Sequence, residues 1–327
     1  MSAQVPLPSA PPGFLPASLL ADIDAWINSS PLRRLVRAFD GSPPITDTRA
    51  LLSWLDAFSA DHWDFRQGRE RPEAREPTLD PVAARTVLEA ASALGLTDSS
   101  PPPHHNYRHV IILGGLAPAC LRRTAYTAHL LHTGVVKAGE VSALGSFREL
   151  TAAEHEVLAA VDAADGRFEM DALDAGIHRS FPAMARIEES GRQDGDLNRS
   201  WSVRLYRPVQ GPQLRLLAAP SGDPAARRAH TADTQRFWAR QVSLRPGDRV
   251  LVVTAPLYVP FQHCDAVRTL GLPYGCGVDT IGVDPAYVDG LPPQPAPAPG
   301  HYLQEIRSAL RSMRALHAAV TDGEAGR

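Results

Sequence analysis

Lysine is almost absent from the sequence. Lys137 is the only lysine among 33 basic residues, so the other 32 are arginines. A P-loop needs a lysine beside the phosphates, and an enzyme that uses pyridoxal phosphate needs a lysine that forms a Schiff base. Lys137 lies in the segment Gly-Val-Val-Lys-Ala-Gly at 134–139, which fits neither context. The sequence therefore argues against both classes of enzyme.

Cysteine is scarce as well. The chain has three cysteines, Cys120, Cys264 and Cys276, and no Cys-x-x-Cys pair. An odd number of cysteines at these spacings argues against a disulfide framework and against a structural zinc site. We therefore expect no bound metal and a reducing, cytoplasmic location.

An excess of one charge and long apolar runs are also missing. The formal net charge is -3, so we expect neither a nucleic-acid-binding surface nor a surface for anionic membranes. No apolar run reaches the roughly 18 residues that span a bilayer, and the N-terminus lacks the basic region of a signal peptide. Hydrophobic residues make up 44% of the 327 residues, which predicts a soluble protein with a sizeable core.

Proline divides the chain into segments. Five prolines within residues 1–16 predict a disordered arm. Apolar residues at helical spacing in residues 17–103 predict a helical region, which would form a lid over a ligand. Five more prolines in residues 290–300 predict a stiff linker. Residues 301–327 predict a helix and tail, and the apolar stripe of this helix would pack on the sheet or pair with its copy in a homodimer.

Residues 104–289 alternate between short apolar strands and amphipathic helices. Strands separated by helices pair in parallel through right-handed crossovers. The predicted fold is therefore α/β: a doubly wound, mainly parallel Rossmann-like sheet with an N-terminal helical region and a C-terminal helix. The strands are predicted at 109–113, 139–144, 214–218, 249–253 and 278–283, with a hairpin between 201–206 and 214–218.

Four of the predicted strands end in small or polar residues. In an open parallel sheet, ligands bind beyond the carboxyl ends of the strands, where helix N-termini present free amides. Short loops between strands and helices also need glycine and capping residues when no ligand binds. A Gly-x-Gly-x-x-Gly fingerprint is absent, which disfavours an ordinary NAD site. The ligand-binding candidates at the strand ends are Gly114, Gly115, Gly145, Ser146, Ser221 and Thr254.

The most polar segment of this region spans residues 221–234. Arg228 would bind a phosphate or carboxylate group of a ligand. His230 and Asp233 are the candidates for proton transfer. The alternative interpretation of this segment is a capped helix start with a solvated face.

The loop after the strand at 249–253 offers two further polar side chains. Tyr258 and Gln262 are four residues apart and would share one face of a helix. We take Tyr258 as a third catalytic candidate and Gln262 as a ligand-binding candidate. The alternative is a buried tyrosine that stabilises the loop, together with helix capping.

Short motifs within about residues 108–285 resemble those of the YdcF/SanA/ElyC family. The resemblance implies a Rossmann-like domain and, from one member of that family, S-adenosylmethionine as the cofactor. It also implies that Arg122 contacts an anionic group of the ligand and that Thr231 belongs to the site. The motifs are His109 to Gly115 followed by Arg122-Arg123, Ala143-Leu-Gly-Ser146, Ala229-His-Thr-Ala-Asp-Thr234 and Val252-Val-Thr254.

Four polar positions depart from that family's pattern, and one of them is Thr234 in place of a second asparagine. His230 stands in place of an asparagine, Asp233 in place of a glutamate, and Tyr258 about where the family has a histidine. These changes imply a divergent member with its own substrate.

These observations lead to one expectation and two alternatives. We expect a small-molecule enzyme of specialised metabolism, a transferase or hydrolase, that binds a nucleotide-like or adenosyl ligand at the carboxyl ends of the strands. The first alternative is a non-catalytic ligand-binding or scaffold protein whose polar loops are helix caps. The second is a hydrolase of a phosphorylated or activated small molecule.

Overall fold

A computed structural model describes residues 4–65, 78–181, 184–284, 286–287, 290–291 and 296–325. Within these residues, seven strands form one sheet. The strands are β1 (Asn106–Leu113), β2 (Lys137–Gly145), β3 (Met184–Arg192), β4 (Trp201–Pro208), β5 (Gln213–Ala218), β6 (Arg249–Thr254) and β7 (Gly277–Gly282).

The strand order is β3-β4-β5-β2-β1-β6-β7. The strands β5, β2, β1, β6 and β7 run parallel, and β4 joins the outer edge of β5 in antiparallel orientation, as does β3 on β4. The chain starts at the central β1, moves outward through β2 to β5, and then returns to add β6 and β7 on the other side. This confirms the predicted doubly wound, mainly parallel α/β fold.

Helices cover both faces of the sheet. On the first face, α5 and α7 pack against apolar side chains such as Ile112 and Val253. On the second face, α8 and α9 pack against alternate side chains such as Ile111 and Val252. A π-helical turn at Val267–Gly271 extends α9 into the short α10. The bounds of these helices are α5 (Ala117–His132), α6 (Ala152–Ala159), α7 (Glu169–Ser180), α8 (Thr231–Gln241), α9 (Val259–Ala266) and α10 (Leu272–Tyr274).

The predicted N-terminal helical region and C-terminal helix are both present. The N-terminal helices are α1 (Pro16–Ile27), α2 (Ser30–Ala38), α3 (Thr48–Trp63) and α4 (Pro81–Ala93), and the C-terminal helix is α11 (Pro299–Ala325). The helices α1, α3 and α4 each pack against α11, which in turn packs against α9. The N-terminal helices therefore extend the second face of the sheet. Their role as a lid over a ligand stays a prediction.

The apolar stripe of α11 is covered within its own chain. Leu303, Ile306, Leu310 and Met313 are all fully buried. The helix therefore packs back on the rest of the protein, and the stripe that suggested a homodimer is no longer free to pair with a second copy. Of the predicted linker, residues 292–295 lie outside the described part, and residues 299–300 already belong to α11.

The described part of the predicted disordered arm is packed instead. The backbone N–H of Val5 donates to the carbonyl of Ala93, and Ala10 pairs with Val278 on the outer edge of β7. The carbonyl of Pro8 lies 2.8 Å from the buried ring of His263. Proline lacks an N–H group but keeps its carbonyl and favours an extended backbone, so a proline-rich segment can still run along a sheet edge.

Two local features differ from the predictions. In the polar segment 221–234 the helix begins only at Thr231, because residues 224–226 form a turn and residues 227–230 are extended or irregular. The edge strand β3 was not predicted, since its side chains are exposed and polar and show no clear alternation of apolar residues. No helix among the described residues is long and apolar enough to cross a membrane.

Buried histidines predict that the protein loses stability in mild acid. Burial lowers the pKa of His109 and of His263 from the ordinary value near 6.5. The unfolded chain therefore binds more protons than the folded one below about pH 6.5, and the free energy of unfolding falls by up to ~1.4 kcal/mol per pH unit for each such histidine. Urea unfolding at pH 7.5 and pH 5.5 measures this loss.

The variant His109→Leu isolates one of these groups. His109 packs edge-on against Trp238, and neither ring nitrogen has a hydrogen-bond partner among the described residues, so leucine keeps the apolar contact and removes the protonation. We expect a smaller loss of stability between pH 7.5 and pH 5.5 than in the parent protein. His132→Leu, at the exposed end of α5, is the matched control for the substitution. An unchanged pH dependence in His109→Leu would contradict the prediction.

Candidate functional site

The strand order reverses between β1 and β6, and in doubly wound sheets this reversal is where a crevice opens at the carboxyl ends of the strands. The loop after β1 leads into α5 on the first face, and the loop after β6 leads into α9 on the second face. Doubly wound sheets bind ligands at this point. The predicted residues Gly114, Gly115 and Thr254 lie here, and Ser146 follows at the end of the neighbouring β2.

The two glycines after β1 have different roles. Gly114 continues the sheet, because its N–H donates to the carbonyl of Leu144 at 2.8 Å. A Cβ on Gly114 would lie 2.7 Å from Glu169 Oε1 and 2.8 Å from the Leu144 carbonyl oxygen, so this position cannot hold a side chain. A Cβ on Gly115 would come no closer than 3.3 Å, to the guanidinium group of Arg123. Gly115 is therefore the position at which a ligand could approach the backbone.

Ser146 forms a buried hydrogen bond with a glutamate that starts α7. Its hydroxyl donates to Glu169 Oε2 at 2.6 Å. Burial raises the pKa of the Glu169 carboxyl, while the Ser146 hydrogen bond and the charges of Arg148, Arg228 and Arg123 act in the opposite direction. The carboxyl group of Glu169 thus lies at the end of β1, beside Gly114.

The N-terminus of α5 is already capped by a carboxylate of the protein. Glu154 Oε1 accepts the N–H of Ala117 at 2.9 Å and pairs with Arg148 at 2.7 Å. Burial works to raise the pKa of Glu154, but the hydrogen bonds from Arg148 and from the N–H groups of Thr151 and Ala117 lower it to about 2. In dinucleotide-binding folds, a pyrophosphate occupies the N-terminus of the helix after the first strand. Glu154 fills that position here.

Arg123, not Arg122, is the arginine of α5 that reaches the strand ends. Its guanidinium group donates to the carbonyls of Leu113, at 2.7 Å, and of Gly114. It also lies 5.9 Å from the centre of the Tyr258 ring, across the crevice. Arg122 is half-buried one position further round the helix, where burial lowers its pKa. The predicted residue Arg122 is thus the neighbour of the arginine that reaches the strand ends, and its contact with a ligand stays a prediction.

Two predicted residues at the end of β6 and the start of α9 carry buried oxygens without partners. Thr254 is fully buried, and its hydroxyl makes no hydrogen bond to the described residues. Gln262 is 6% exposed, and its Oε1 accepts no hydrogen bond from them either. Buried polar groups in proteins are nearly always paired, so such atoms at a ligand-binding crevice call for an explanation.

His230 and Asp233 form a capping box at the start of α8. The His230 ring accepts the N–H of Asp233, and Asp233 Oδ2 accepts the N–H of His230 at 3.1 Å and pairs with Arg227 at 2.5 Å. Burial works to raise the pKa of Asp233, but the hydrogen bonds from Arg227 and from His230 outweigh it and lower that pKa. The His230 side chain is 51% exposed. This geometry favours the capping interpretation over proton transfer.

The other predicted residues lie near the ends of the strands or at the starts of the helices that follow them. Gly145 packs against Leu173 of α7, and Ser221 accepts the N–H of Asp223 in the turn after β5. Thr231 is the half-buried first residue of α8. Arg228 is exposed, and its positive charge acts on Glu169. Tyr258 is half-buried and faces Arg123.

Sequence reasoning missed four charged residues of this site: Glu169, Arg123, Arg148 and Glu154. A sequence signal for Glu154 exists, because Thr151-Ala-Ala-Glu154 has the pattern of a capping box and the structure forms that box. Arg123 lies three residues after the buried Cys120, on the inward side of α5, so the helical period favoured it over Arg122. Among the described residues, no cluster of three metal-ligating side chains occurs.

The fold and the crevice define a doubly wound, Rossmann-like α/β protein. A family model described as the Rv3785 N-terminal domain matches residues 10–95. The uncharacterized protein Rv3785 of Mycobacterium tuberculosis (strain H37Rv) is 31% identical over 333 residues, covering 94% of this chain and 92% of the relative. The uncharacterized protein Mb3814 of Mycobacterium bovis matches with the same identity and coverage. The chain belongs to the Rv3785 family. No solved structure matches it.

The predicted membership of the YdcF/SanA/ElyC family is wrong. The family match falls on the helical region at residues 10–95, and the relatives align over almost the whole chain, whereas no match to that family is found. The motifs that suggested it are glycine, serine and threonine at strand ends. Parallel sheets need such residues wherever a strand turns into a helix, so short motifs of this kind arise in unrelated families.

Substitutions of the two glycines test their different roles. Gly114→Ala should lower the free energy of unfolding by ~2 kcal/mol or more, because its Cβ would overlap Glu169 and the backbone of β2. Gly115→Ala should cost less than ~1 kcal/mol, because the Arg123 side chain can move by a few tenths of an ångström. Urea unfolding of the two variants measures the difference. Equal losses would contradict the assignment of Gly115 as the open position.

Proposed function

We propose that this protein is a small-molecule enzyme, a transferase or hydrolase, that binds a nucleotide-like ligand in the crevice between β1 and β6. The observation that carries the proposal is the pair of unpartnered oxygens, Thr254 Oγ1 and Gln262 Oε1, at the ligand-binding point of this fold class. Leaving a buried acceptor unpaired costs about 1–3 kcal/mol. A ligand with hydrogen-bond donors would recover part of that energy.

The chemistry of the crevice fits a nucleoside better than a bare phosphate. Ribose hydroxyls and a base amino group are donors that match the free oxygens of Thr254 and Gln262. The side chain of Leu116, 47% exposed next to Gly115, offers an apolar surface for a base. These features support a ligand with a sugar and a ring system.

The anionic part of such a ligand would lie away from the start of α5. Glu154 already accepts the N–H of Ala117 there, and its negative charge would repel a phosphate. The exposed Arg228, after β5, supplies a positive charge on the other side of Ser146. S-adenosylmethionine stays within the proposal as one ligand of this class, because it carries ribose hydroxyls, an adenine amino group and a carboxylate. The resemblance that first suggested it no longer supports it.

The proposal includes a cytoplasmic location and a small molecule as the partner. All three cysteines are buried free thiols, which suits a reducing compartment.

A ligand panel with the variant Thr254→Val tests the proposed function. The panel contains adenosine, AMP, ATP and S-adenosylmethionine, and binding is measured as a rise in melting temperature and by calorimetry. A ligand at a hundredfold excess over its Kd stabilises the folded chain by about 2.7 kcal/mol. Thr254→Val removes an unpartnered hydroxyl at nearly constant volume, so it should keep or raise stability while it weakens binding about tenfold.

Thr127→Val is the matched control. Thr127 is a buried threonine further along α5, and its hydroxyl donates to the Arg123 carbonyl within the helix. We expect this variant to bind as the parent does. A panel without any shift would favour the non-catalytic scaffold, and equal binding by Thr254→Val would remove Thr254 from the site.

A further inference from the structure

The turn that holds Ser146 and Glu169 is fixed mainly by its backbone, because the N–H of Glu169 donates to the Arg148 carbonyl at 2.9 Å and the N–H of Met170 donates to the Ser146 carbonyl at 3.3 Å. Ser146 Oγ also accepts the N–H of Arg148 at 3.3 Å, so the bond to Glu169 is one of two hydrogen bonds that the serine hydroxyl makes. Burying a carboxylate is unfavourable unless it is well paired. The bond from Ser146 is the one hydrogen bond that the Glu169 side chain accepts among the described residues.

The arginines around Glu169 are engaged with other acceptors. Arg123 donates to the Leu113 carbonyl, and Arg148 donates to Glu154 and to the Gly115 carbonyl. They act on Glu169 through their charge, which favours the carboxylate form, while burial raises its pKa and so makes it a stronger base. This combination is typical of a catalytic base.

A second serine–glutamate pair, Ser142 and Glu140 in β2, serves as a comparison because its glutamate forms an ion pair with an arginine. Ser142 donates to Glu140 at 3.0 Å, but Glu140 also binds Arg215 through both oxygens. The hydroxyl of Ser142 in turn accepts the indole N–H of Trp238 at 2.9 Å. Both oxygens of Glu140 are paired, whereas Glu169 Oε1, beside Gly114, accepts no hydrogen bond from the residues that the structure describes.

The other nucleophile near Glu169 is chemically unsuited. Cys120 lies on α5, and burial with the nearby charge of Glu169 raises the pKa of its thiol to about 12. The thiol therefore stays protonated near neutral pH, and a thiolate is the reactive form.

We propose that Ser146 is a nucleophile and Glu169 its general base, acting on an acyl or phosphoryl centre of an activated small molecule. The Ser146 oxygen forms a bond to the carbon or phosphorus, its proton passes to Glu169, and the leaving group departs with the bonding electrons and takes up that proton. Water or an acceptor alcohol then attacks, Glu169 takes its proton, and the bond to Ser146 breaks as Glu169 returns a proton to the serine oxygen. The inference rests on the proposed function only in placing the ligand's reactive end beside Gly114.

A fluorophosphonate tests this step without knowledge of the substrate. The Ser146 oxygen would form a bond to phosphorus, the phosphorus–fluorine bond would break, and fluoride would leave while the proton goes to Glu169. The full-length protein is treated near neutral pH, and the adduct is located by peptide mass spectrometry. We expect one adduct on Ser146, none on Ser142 and none in Ser146→Ala.

The variant Glu169→Gln keeps the shape of the base and removes its charge. Its labelling rate should fall about a hundredfold or more, the usual scale for a general base. Glu140→Gln is the matched control and should label at the parent rate. If Glu169→Gln does not fold, the pH dependence of the labelling rate of the parent protein shows whether Glu169 acts as the base. Labelling with Glu169 as base levels off once that carboxyl has ionised, whereas uncatalysed attack by the serine alkoxide keeps rising about tenfold per pH unit.

Absence of an adduct on Ser146 would overturn the inference, as would a parent-like rate in folded Glu169→Gln. These outcomes are separate from the fate of the proposed function. A nucleoside that still raises the melting temperature of Ser146→Ala would leave the ligand site standing without a serine nucleophile. A labelled Ser146 in a protein that binds no nucleoside would leave the serine chemistry and remove the proposed ligand class.

Discussion

Right-handed crossover connections on either side of β1 are the constraint on which this structure depends. They place α5 and α7 on one face and α8 and α9 on the other, so the ends of β1 and β6 are left without a helix directly between them. The crevice is a consequence of connectivity rather than of any single side chain. What the sequence adds is the choice of groups that face into it.

Those groups divide the crevice into two chemically different sides. Toward β2, the carboxyl groups of Glu154 and Glu169 lie among arginines. Glu154 caps the N-terminus of α5 by accepting the N–H of Ala117. Toward β6, Thr254 Oγ1 and Gln262 Oε1 are neutral and have no hydrogen-bond partner in the described part of the chain. A ligand that spans both sides must therefore bring donors at one end and a reacting or anionic group at the other. A bare phosphate satisfies only one of these conditions.

The sequence predicted the sheet well because its buried strands are apolar on both sides. Strands such as β1 and β6 stand out as continuous runs of valine, isoleucine and leucine. It predicted neither the exposed strand β3 nor the path of the proline-rich arm, because both depend on pairing with an edge rather than on burial of apolar residues. The sequence did not predict Glu169 as a site residue either, because its position depends on how α7 packs against the ends of β1 and β2.

The N-terminal helices and α11 support the helix α9, which carries Gln262. Ser312 of α11 lies 2.9 Å from Asp265 and 3.0 Å from the carbonyl of Phe261, so α11 fixes the position of α9 and with it Gln262. In turn, α11 is held by α1, α3 and α4, which lie within the part of the chain that the Rv3785 N-terminal domain model matches. A region recognised as a separate family domain therefore supports one wall of the crevice through α11. Rigid support lowers the entropy that a side chain loses on binding, so this packing would favour the ligand binding that we propose for Thr254 and Gln262.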